Sequence, residues 1–205
     1  MFTRYAAFIL FPLSLILSAM NADTTYFQIE QGSKLQIKGT SNVTDFTCQC
    51  LESFPKSQAQ ITVTEDGTKA KFSKTTLQIR TKKLDCGNKP MNNDMFNTLK
   101  AEEYPYVQIE LLETRLTPGK SLAKTDIWMP IEASVNFTIA GVTRKETLTI
   151  QGKKLDELEY RFKSSKTLLF TDYGIKPPRA LMGLVKVANE ITIELDLTVT
   201  IQGQM

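Results

Sequence analysis

The chain has 205 residues, with 25 lysines and arginines against 22 aspartates and glutamates, which gives a formal net charge of +3 at pH 7. This excess of positive charge is too small for a nucleic-acid-binding surface, so we exclude nucleic acid as a partner. The sequence contains no histidine. Histidine is the commonest general base and the commonest metal ligand. The chain therefore lacks the residue on which most hydrolase and metalloenzyme mechanisms depend.

The first 22 residues have the pattern of a secretory signal peptide. Arg4 precedes an apolar run from Tyr5 to Leu17, and small or polar residues follow as far as Ala22. A membrane anchor is the alternative, but the run is shorter than the roughly 20 apolar residues that a spanning helix needs. We therefore predict cleavage after Ala22, export, and one mature domain over residues 23–205 with no transmembrane segment.

Most of the mature chain alternates apolar and polar residues with a period of two, which is typical of strands with one buried face. In chain order, the predicted strands cover residues 26–31, 34–40, 44–52, 58–65, 70–81, 106–111, 127–139, 142–150, 158–170 and 185–202. Turn residues such as Gly32-Ser33 and Pro118-Gly119 separate them. Several strands are long, which favours a closed antiparallel barrel over a sandwich, so we predict an all-β fold.

One segment departs from this pattern, because its apolar residues recur every four positions as they do on a helix. Asn92 or Asn93 could cap the helix start, and Tyr104-Pro105 closes the segment, since the residue before a proline leaves the helical region. We predict one short helix at about residues 92–101. Its face toward the barrel consists of Met91, Met95, Phe96 and Leu99.

The three cysteines predict one disulfide. Cys48 and Cys50 lie two apart on a strand, on the same face as Phe46, and diverge too much to bridge each other, so one of them can pair with Cys86. An exported chain favours a disulfide. A metal site would need a fourth ligand and a redox pair would prefer Cys-x-x-Cys. The bridge would anchor the start of the helix.

Four segments together resemble the YceI-like family, in the family's order and across nearly all of residues 26–200. They are IKGTSNVTDFTC, LDCGNKPMNNDMFNTLKAEEYPYVQIEL, FTIAGVTRKETLTI and LLFTDYGIKPPRALMGLVKVANEITIELDL. The resemblance implies a lipocalin-like antiparallel barrel of about eight strands in a periplasmic or secreted protein. It also implies an apolar lumen that takes a long isoprenoid chain, such as a polyprenyl or quinone-type lipid.

The resemblance also bears on individual residues. Family members with an FxC segment and a DCGN segment match Cys48 and Cys86, which implies this pair as the disulfide and leaves Cys50 free. Relatives often have a histidine in the segment that matches residues 42–46, where this chain has Thr44. If that histidine contacts ligand in relatives, the contact is absent here and the ligand differs.

A barrel of eight strands is just wide enough to fill itself with side chains or to hold one small ligand, so each inward apolar residue is either core or ligand contact. The candidate lumen residues are Phe46, Leu77, Ile79, Met91, Met95, Leu99, Val107, Ile109, Leu111, Ile131, Val135, Phe137, Leu148, Tyr160, Phe162, Ile191 and Ile193. A candidate edge for a phosphate, quinone or phenol head group consists of Tyr173, Lys176 and Arg179, with Lys186 nearby. A solvated loop is the alternative for that edge.

Enzyme motifs are missing from the sequence: it has no Gly-x-Ser-x-Gly elbow, phosphate-binding glycine loop or zinc-binding His-Glu motif. Glu194 and Asp196 share the wet face of a strand, which does not suit an acid/base pair. We therefore expect non-catalytic transport or storage of a long-chain isoprenoid or similar lipid, with no metal and no cofactor besides that lipid. The alternative is an extracellular interaction module with a filled core and no ligand. Whether the chain forms a homodimer is left open.

Overall fold

The computed structural model describes residues 23–122 and 126–202, so the predicted signal peptide lies outside the described residues. One α-helix and thirteen strands form within this part of the chain. The strands are β1 (Asp23–Ile29), β2 (Lys34–Ser41), β3 (Asp45–Cys50), β4 (Ser57–Val63), β5 (Lys69–Ser73), β6 (Thr76–Arg80), β7 (Leu84–Asp85), β8 (Tyr106–Leu116), β9 (Met129–Ile139), β10 (Val142–Lys154), β11 (Glu159–Leu169), β12 (Arg179–Ala180) and β13 (Val185–Gln202). The helix α1 spans Lys89–Thr98.

Eight strands close into an antiparallel ring in the order β1, β4, β5, β8, β9, β10, β11 and β13, and β13 pairs back with β1. The remaining long strands extend this ring in the other direction along the barrel axis. β2 pairs with the first half of β13, β3 pairs with β2, and β6 pairs with the first half of β8. The predicted all-β, lipocalin-like barrel of about eight strands is confirmed.

The barrel has two unlike ends. At one end, which we call the ring end, β1, β4 and β5 complete the strand pairing. At the other, which we call the helix end, β2, β3 and β6 take their places and α1 lies beside them. Pairing register places alternate residues inside along the whole length, for example Ile193 opposite Ile37 and Leu197 opposite Phe162.

The helix begins three residues earlier than the predicted range of 92–101. The Asn88 side chain caps it by accepting a hydrogen bond from the Met91 backbone N–H at 3.0 Å. The expectation that Asn92 or Asn93 caps the helix is therefore wrong, because Pro90 in the first turn already has a backbone angle suited to a helix. Two of the four residues predicted to face the barrel, Met95 and Leu99, are buried. The other two, Met91 and Phe96, are half-buried.

Three further sequence-based expectations need correction. Residues 70–81 form two strands because the chain turns at Lys74, whose φ of 61° lies in the left-handed region. The strand predicted over 127–139 begins two residues later, at Met129, and Ile127 is exposed. Leu158 is exposed because it lies in the turn before β11, where its N–H donates to the Asp156 carboxylate at 2.9 Å.

A disulfide joins Cys48 to Cys86, as the resemblance implied, and Cys50 is a free thiol. Cys48 is completely buried on the inner face of β3. The backbone N–H of Cys86 donates to the side-chain oxygen of Asn92 at 2.6 Å, and the Asn92 amide donates to Asp85 at 2.9 Å. The bridge and these hydrogen bonds together fix the first turns of α1 against the barrel wall.

The double substitution Cys48→Ala/Cys86→Ala should lower the free energy of unfolding by about 3–4 kcal/mol, because it releases a loop whose ends are 38 residues apart. Cys50→Ala is the matched control, and its half-buried thiol should cost about 1 kcal/mol or less. Urea unfolding monitored by circular dichroism measures both. Equal losses for the two variants would show that the bridge contributes nothing beyond side-chain packing.

The exit of the helix packs directly on the hairpin between β9 and β10. Gly141 has a φ of +80°, and a Cβ placed there would lie 2.4 Å from the ring of Tyr104. Only glycine satisfies both the left-handed backbone and the close approach of the ring. The segment Tyr104-Pro105 and the hairpin that contains Gly141 are far apart in sequence, but they contact each other directly in the fold.

Gly141→Ala should destabilise the protein by about 2–3 kcal/mol, because backbone strain adds to displacement of the Tyr104 ring. Gly32→Ala provides the control, since Gly32 has a φ of +88° but nothing within 4 Å of an added Cβ. The control should therefore lose only about 1 kcal/mol. Thermal unfolding of both variants separates the two effects, and equal losses would exclude a contribution from the ring contact.

Candidate functional site

Most of the candidate lumen residues lie inside the barrel and are already buried by their neighbours. Their side chains are between 1% and 8% exposed. The residues are Ile79, Met95, Leu99, Val107, Ile109, Ile131, Val135, Phe137, Leu148, Ile191 and Ile193. Nearly all belong to one core cluster that fills the helix end. Their apolar surface is removed from water in the protein as it stands, so they act as core.

The other candidate residues also face inward but remain only half-buried. They are Phe46, Leu77, Met91, Leu111, Tyr160 and Phe162. Register places Tyr160 opposite Val199 on β13, toward the ring end, and Leu77 opposite Ile109 beside the helix end. These positions are therefore less completely covered than the core residues named above.

Sequence reasoning missed the inner face of the three strands that complete the ring. Phe27, Ile61 and Phe72 are half-buried, and register joins them into one surface: Phe27 lies opposite Ile201, and Ile61 opposite Phe72. Leu197 continues this surface beside Phe162. The strands were predicted, but their inner face depends on the closure of β1 against β13, which no local pattern reveals. The inner face of the ring end is thus apolar and only half-buried.

The barrel wall is incomplete between β3 and β6. Among the described residues, β3 pairs with β2 and β7, and β6 pairs with β8, so strand pairing does not join β3 to β6. Other contacts bridge them: the Leu51 N–H donates to the Lys83 carbonyl at 2.8 Å, and Arg80 forms a two-point ion pair with Glu52 at 2.8 and 2.5 Å. Beside these bridges, the half-buried Phe54 packs against the core.

The ion pair between Arg80 and Glu52 is electrostatically well defined. The Glu52 side chain is only 6% exposed, and the hydrogen bonds from the Arg80 guanidinium hold the pKa of Glu52 below its ordinary value. A depressed carboxylate pKa stabilises the folded state above the unfolded-state pKa, and this stabilisation disappears as the pH falls through the folded-state pKa.

Glu52→Gln should therefore lower the free energy of unfolding near neutral pH, and the difference from the wild type should shrink as the pH falls below about 4. Denaturant unfolding across this pH range measures the effect. Glu102→Gln is the control, because its ion pair with Lys82 is highly exposed and should contribute less than about 0.5 kcal/mol at any pH. A constant difference for Glu52→Gln would contradict the role given to the ion pair.

A cavity of about 630 Å³ opens where the incomplete wall meets the ring end. It is lined by Tyr26, Phe27, Lys56, Ser57, Gln58, Lys74 and Thr76, and we call it the side opening. Phe27 and Ser57 form an inward-facing pair, whereas the neighbouring pair of Tyr26 and Gln58 faces outward. The lining of the side opening therefore includes residues from both faces of the wall.

A second cavity, of about 510 Å³, lies mainly on the outer face of β2, β10, β11 and β13. Its lining includes Glu194 and Asp196, which pair at 2.7 Å with Lys38 and Arg161, respectively. The prediction that these two carboxylates lie on the outer face is confirmed. Their charges are neutralised by cations on neighbouring strands, so they form surface ion pairs and not an acid/base pair.

The structure separates the three residues of the candidate head-group edge. Lys176 and Arg179 are exposed, whereas Tyr173 is only 2% exposed and belongs to the core cluster at the helix end. Burial, reinforced by the charge of Glu146, raises the pKa of Tyr173 to about 12, so its hydroxyl stays neutral. That hydroxyl has no hydrogen-bond partner among the residues that the structure describes. Contact of Lys176 or Arg179 with a head group stays a prediction.

Within residues 23–122 and 126–202, no helix combines the length and the apolar character needed to span a membrane. In the same residues, no three side chains of histidine, cysteine, aspartate or glutamate come together in a way that could hold a metal ion. The remaining site is the apolar interior of the ring end together with the side opening.

These features define the class of protein: an antiparallel β-barrel with an apolar inner face that is half-buried toward the ring end. The family model described as a YceI-like domain matches residues 21–199, and the chain therefore belongs to the YceI-like family. No match was found among curated proteins.

Solved structures share the fold at low sequence identity. A polyisoprenoid binding domain from Saccharophagus degradans, implicated in plant cell wall breakdown, is 11% identical, with a TM-score of 0.60 over 88% of this chain and 99% of that chain. BcnA from Burkholderia cenocepacia is 14% identical, with a TM-score of 0.57 over 81% and 95% of the two chains. The YceI protein of Campylobacter jejuni is 13% identical, with a TM-score of 0.50 over 71% and 81%.

Proposed function

We propose that this protein binds a long-chain isoprenoid or a similar lipid without chemically changing it, and that it carries or stores this lipid in the periplasm or outside the cell. The observation that carries the proposal is the half-buried apolar inner face of the ring end, around Phe27, Phe72 and Leu197. The similarity in fold to a polyisoprenoid binding domain supports it. The predicted signal peptide supports the location.

Apolar burial alone is sufficient for tight binding of such a ligand. Drug-sized ligands gain about 0.3 kcal/mol per heavy atom. A chain of about 40 carbons could therefore reach about 12 kcal/mol, which corresponds to a nanomolar dissociation constant. The inner face offers branched and aromatic side chains from at least β1, β5, β11 and β13, so a chain inside the ring end would contact protein on several sides.

The alternative function is an interaction or structural module whose barrel interior is filled by its own side chains. Such a module would be packed throughout its barrel. The helix end shows packing of this kind around Phe137 and Ile79, which are at most 2% exposed. The ring end differs, because its inward aromatic and aliphatic residues keep part of their surface accessible. Half-buried inward residues also occur at the helix end, such as Leu77 and Met91, so the difference between the ends is one of degree, and lipid binding would account for it.

Protein purified from its native host should carry about one lipid molecule per chain, because a tightly bound apolar ligand exchanges slowly with water. Organic extraction followed by mass spectrometry identifies the lipid and its stoichiometry. A lipid-free preparation that also fails to bind added long-chain prenols would contradict the proposal and favour the filled module.

A matched pair of substitutions on one strand tests the position of the chain. Leu197→Glu places a carboxylate inside the ring end and should reduce lipid occupancy at least about tenfold, since the charge would have to be desolvated. Thr198→Glu, on the outer face of the same strand, should leave occupancy unchanged. Leu197→Trp, which fills space without adding charge, should also reduce occupancy while the protein stays folded, and normal occupancy in this variant would exclude the ring end.

A further inference from the structure

Two hairpin tips at the helix end hold aliphatic side chains out in water. The tip between β2 and β3 presents Val43, which is 65% exposed. The tip between β12 and β13 presents Met182, which is fully exposed, and Leu184, which is 74% exposed. A single exposed aliphatic residue is common on a protein surface, but a group of them indicates an interaction site. We call these three residues the tip patch.

Hydrogen bonds hold the two tips together. The Asn42 backbone N–H donates to the Lys186 carbonyl at 3.0 Å, and its side-chain oxygen accepts from the Lys186 N–H at 2.7 Å. The Asn42 side-chain amide also donates to the Leu184 carbonyl at 3.0 Å. Within the first tip, the Ser41 hydroxyl donates to the Thr44 carbonyl at 2.8 Å. The fold therefore fixes the two tips beside each other.

One tip has an unfavourable backbone conformation at its most exposed residue. Met182 and Gly183 have φ angles of 55° and 90°, both in the left-handed region, as in tight hairpin turns. Asparagine or glycine is the usual residue at the first of these positions, because other side chains bring Cβ too close to the following carbonyl oxygen. A fully exposed methionine provides no packing that offsets this strain, which indicates a contact outside the chain.

The charges beside the tip patch are mainly positive. Arg179 and Lys186 lie directly opposite each other on β12 and β13, and both are exposed, although like charges in opposite positions destabilise a strand pair. Lys176 adds a third exposed cation, whereas Asp45 is the one acidic residue within five sequence positions of the tip patch. In the part of the chain that the structure describes, no carboxylate lies within 4.0 Å of these three cations, although ion pairs form elsewhere.

Aliphatic tips between uncompensated cations match the surface of an anionic lipid bilayer. Apolar side chains gain free energy when they enter the boundary between head groups and acyl chains, and basic side chains are attracted to the acidic head groups. Neither of the two cavities described above includes the tip patch, so these residues line no pocket found there for a small ligand. A deformable lipid surface accommodates protruding tips without a groove of matching shape.

We propose that the tip patch docks this protein onto the surface of an anionic lipid bilayer, with its three aliphatic side chains among the lipids and with Arg179 and Lys186 against the acidic head groups. The inference goes beyond the proposed function, because docking requires no lipid inside the barrel. Docking through the helix end would leave the ring end directed away from the bilayer.

Cosedimentation of the purified protein with vesicles tests this docking. Vesicles of phosphatidylcholine with about 30% phosphatidylglycerol should bind the wild type at least about tenfold more tightly than vesicles of phosphatidylcholine alone. Salt at about 0.5 M should remove most of this difference. The variant Val43→Ser/Met182→Asn/Leu184→Ser should bind the anionic vesicles at least about tenfold more weakly than the wild type. Asparagine is chosen at position 182 because it tolerates a positive φ.

The contribution of charge is tested separately with Arg179→Gln/Lys186→Gln. This variant should lose most of the preference for anionic vesicles, because each basic residue near such a surface raises affinity about fivefold. The matched control is Lys69→Gln/Lys120→Gln, which removes the same net charge from exposed positions at the ring end and should keep the preference. Equal losses for the two variants would overturn the proposal, because they would show a nonspecific effect of net charge.

The single tryptophan, Trp128, reports which end contacts the bilayer. It lies at the ring end, directly before β9, and is 38% exposed. Its fluorescence should therefore stay unchanged when vesicles bind. In the variant Leu184→Trp/Trp128→Phe, the only tryptophan lies in the tip patch, and its emission should shift to shorter wavelength on binding. A shift in the wild type with none in this variant would overturn the proposal and assign docking to the ring end.

The remaining outcomes separate this inference from the proposed function. If the wild type does not bind anionic vesicles, or if the serine and asparagine variant binds them equally well, docking is overturned, while lipid extracted from the barrel would still support the proposed function. If sedimentation velocity instead shows a dimer that this variant converts to a monomer, and no vesicle binding, the tip patch is an interface between copies and docking is overturned. Thermal unfolding midpoints equal to that of the wild type would show that the variants are folded.

Discussion

The structure depends on the way one strand, β13, serves both ends of the barrel. Along one edge it pairs with β11 over eleven consecutive positions, and along the other it pairs first with β2 and then with β1. Because β1 and β2 share this edge, the next strands are also divided between the two ends. Within the described part of the chain, the ring closes through β4 and β5 at one end, and strand pairing does not join β3 to β6 at the other.

This division explains where the stabilising contacts other than strand pairing lie. At the helix end, α1, the disulfide and the ion pair between Arg80 and Glu52 bridge the strands that do not pair in the described residues, and most of the interior is buried. The ring end needs no such bridges, because its strand pairing is complete. Its apolar inner side chains are only half-buried, and a ligand that covered them would gain roughly 25 cal/mol for each Å² removed from water.

Much of the fold could be predicted because its signals are local. The alternation along 185–202 correctly identified the inward positions of β13, and the spacing of Met95 and Leu99 identified the buried face of the helix. Small errors came from competing local signals, as when Asn88 rather than Asn92 caps the helix. The pairing of Cys48 with Cys86 came from the family resemblance, since spacing alone left Cys50 as a second choice.

The candidate site was harder to predict because it depends on contacts between distant parts of the chain. Whether an inward residue is core or lines open space depends on which strand lies opposite, and the pairing of Phe27 with Ile201 joins the two ends of the described chain. The predicted lumen residues are therefore mostly core, whereas Phe27, Ile61 and Phe72 were missed. The side opening likewise results from the break at Lys74, which interrupts an otherwise regular pattern.

The most direct measurement is a crystal structure of the protein purified from its native host without lipid removal. Lipid binding in the ring end predicts continuous, chain-like electron density inside the barrel, in contact with Phe27, Phe72 and Leu197. Density that contains only ordered water, or side chains that close the ring end on themselves, would contradict it.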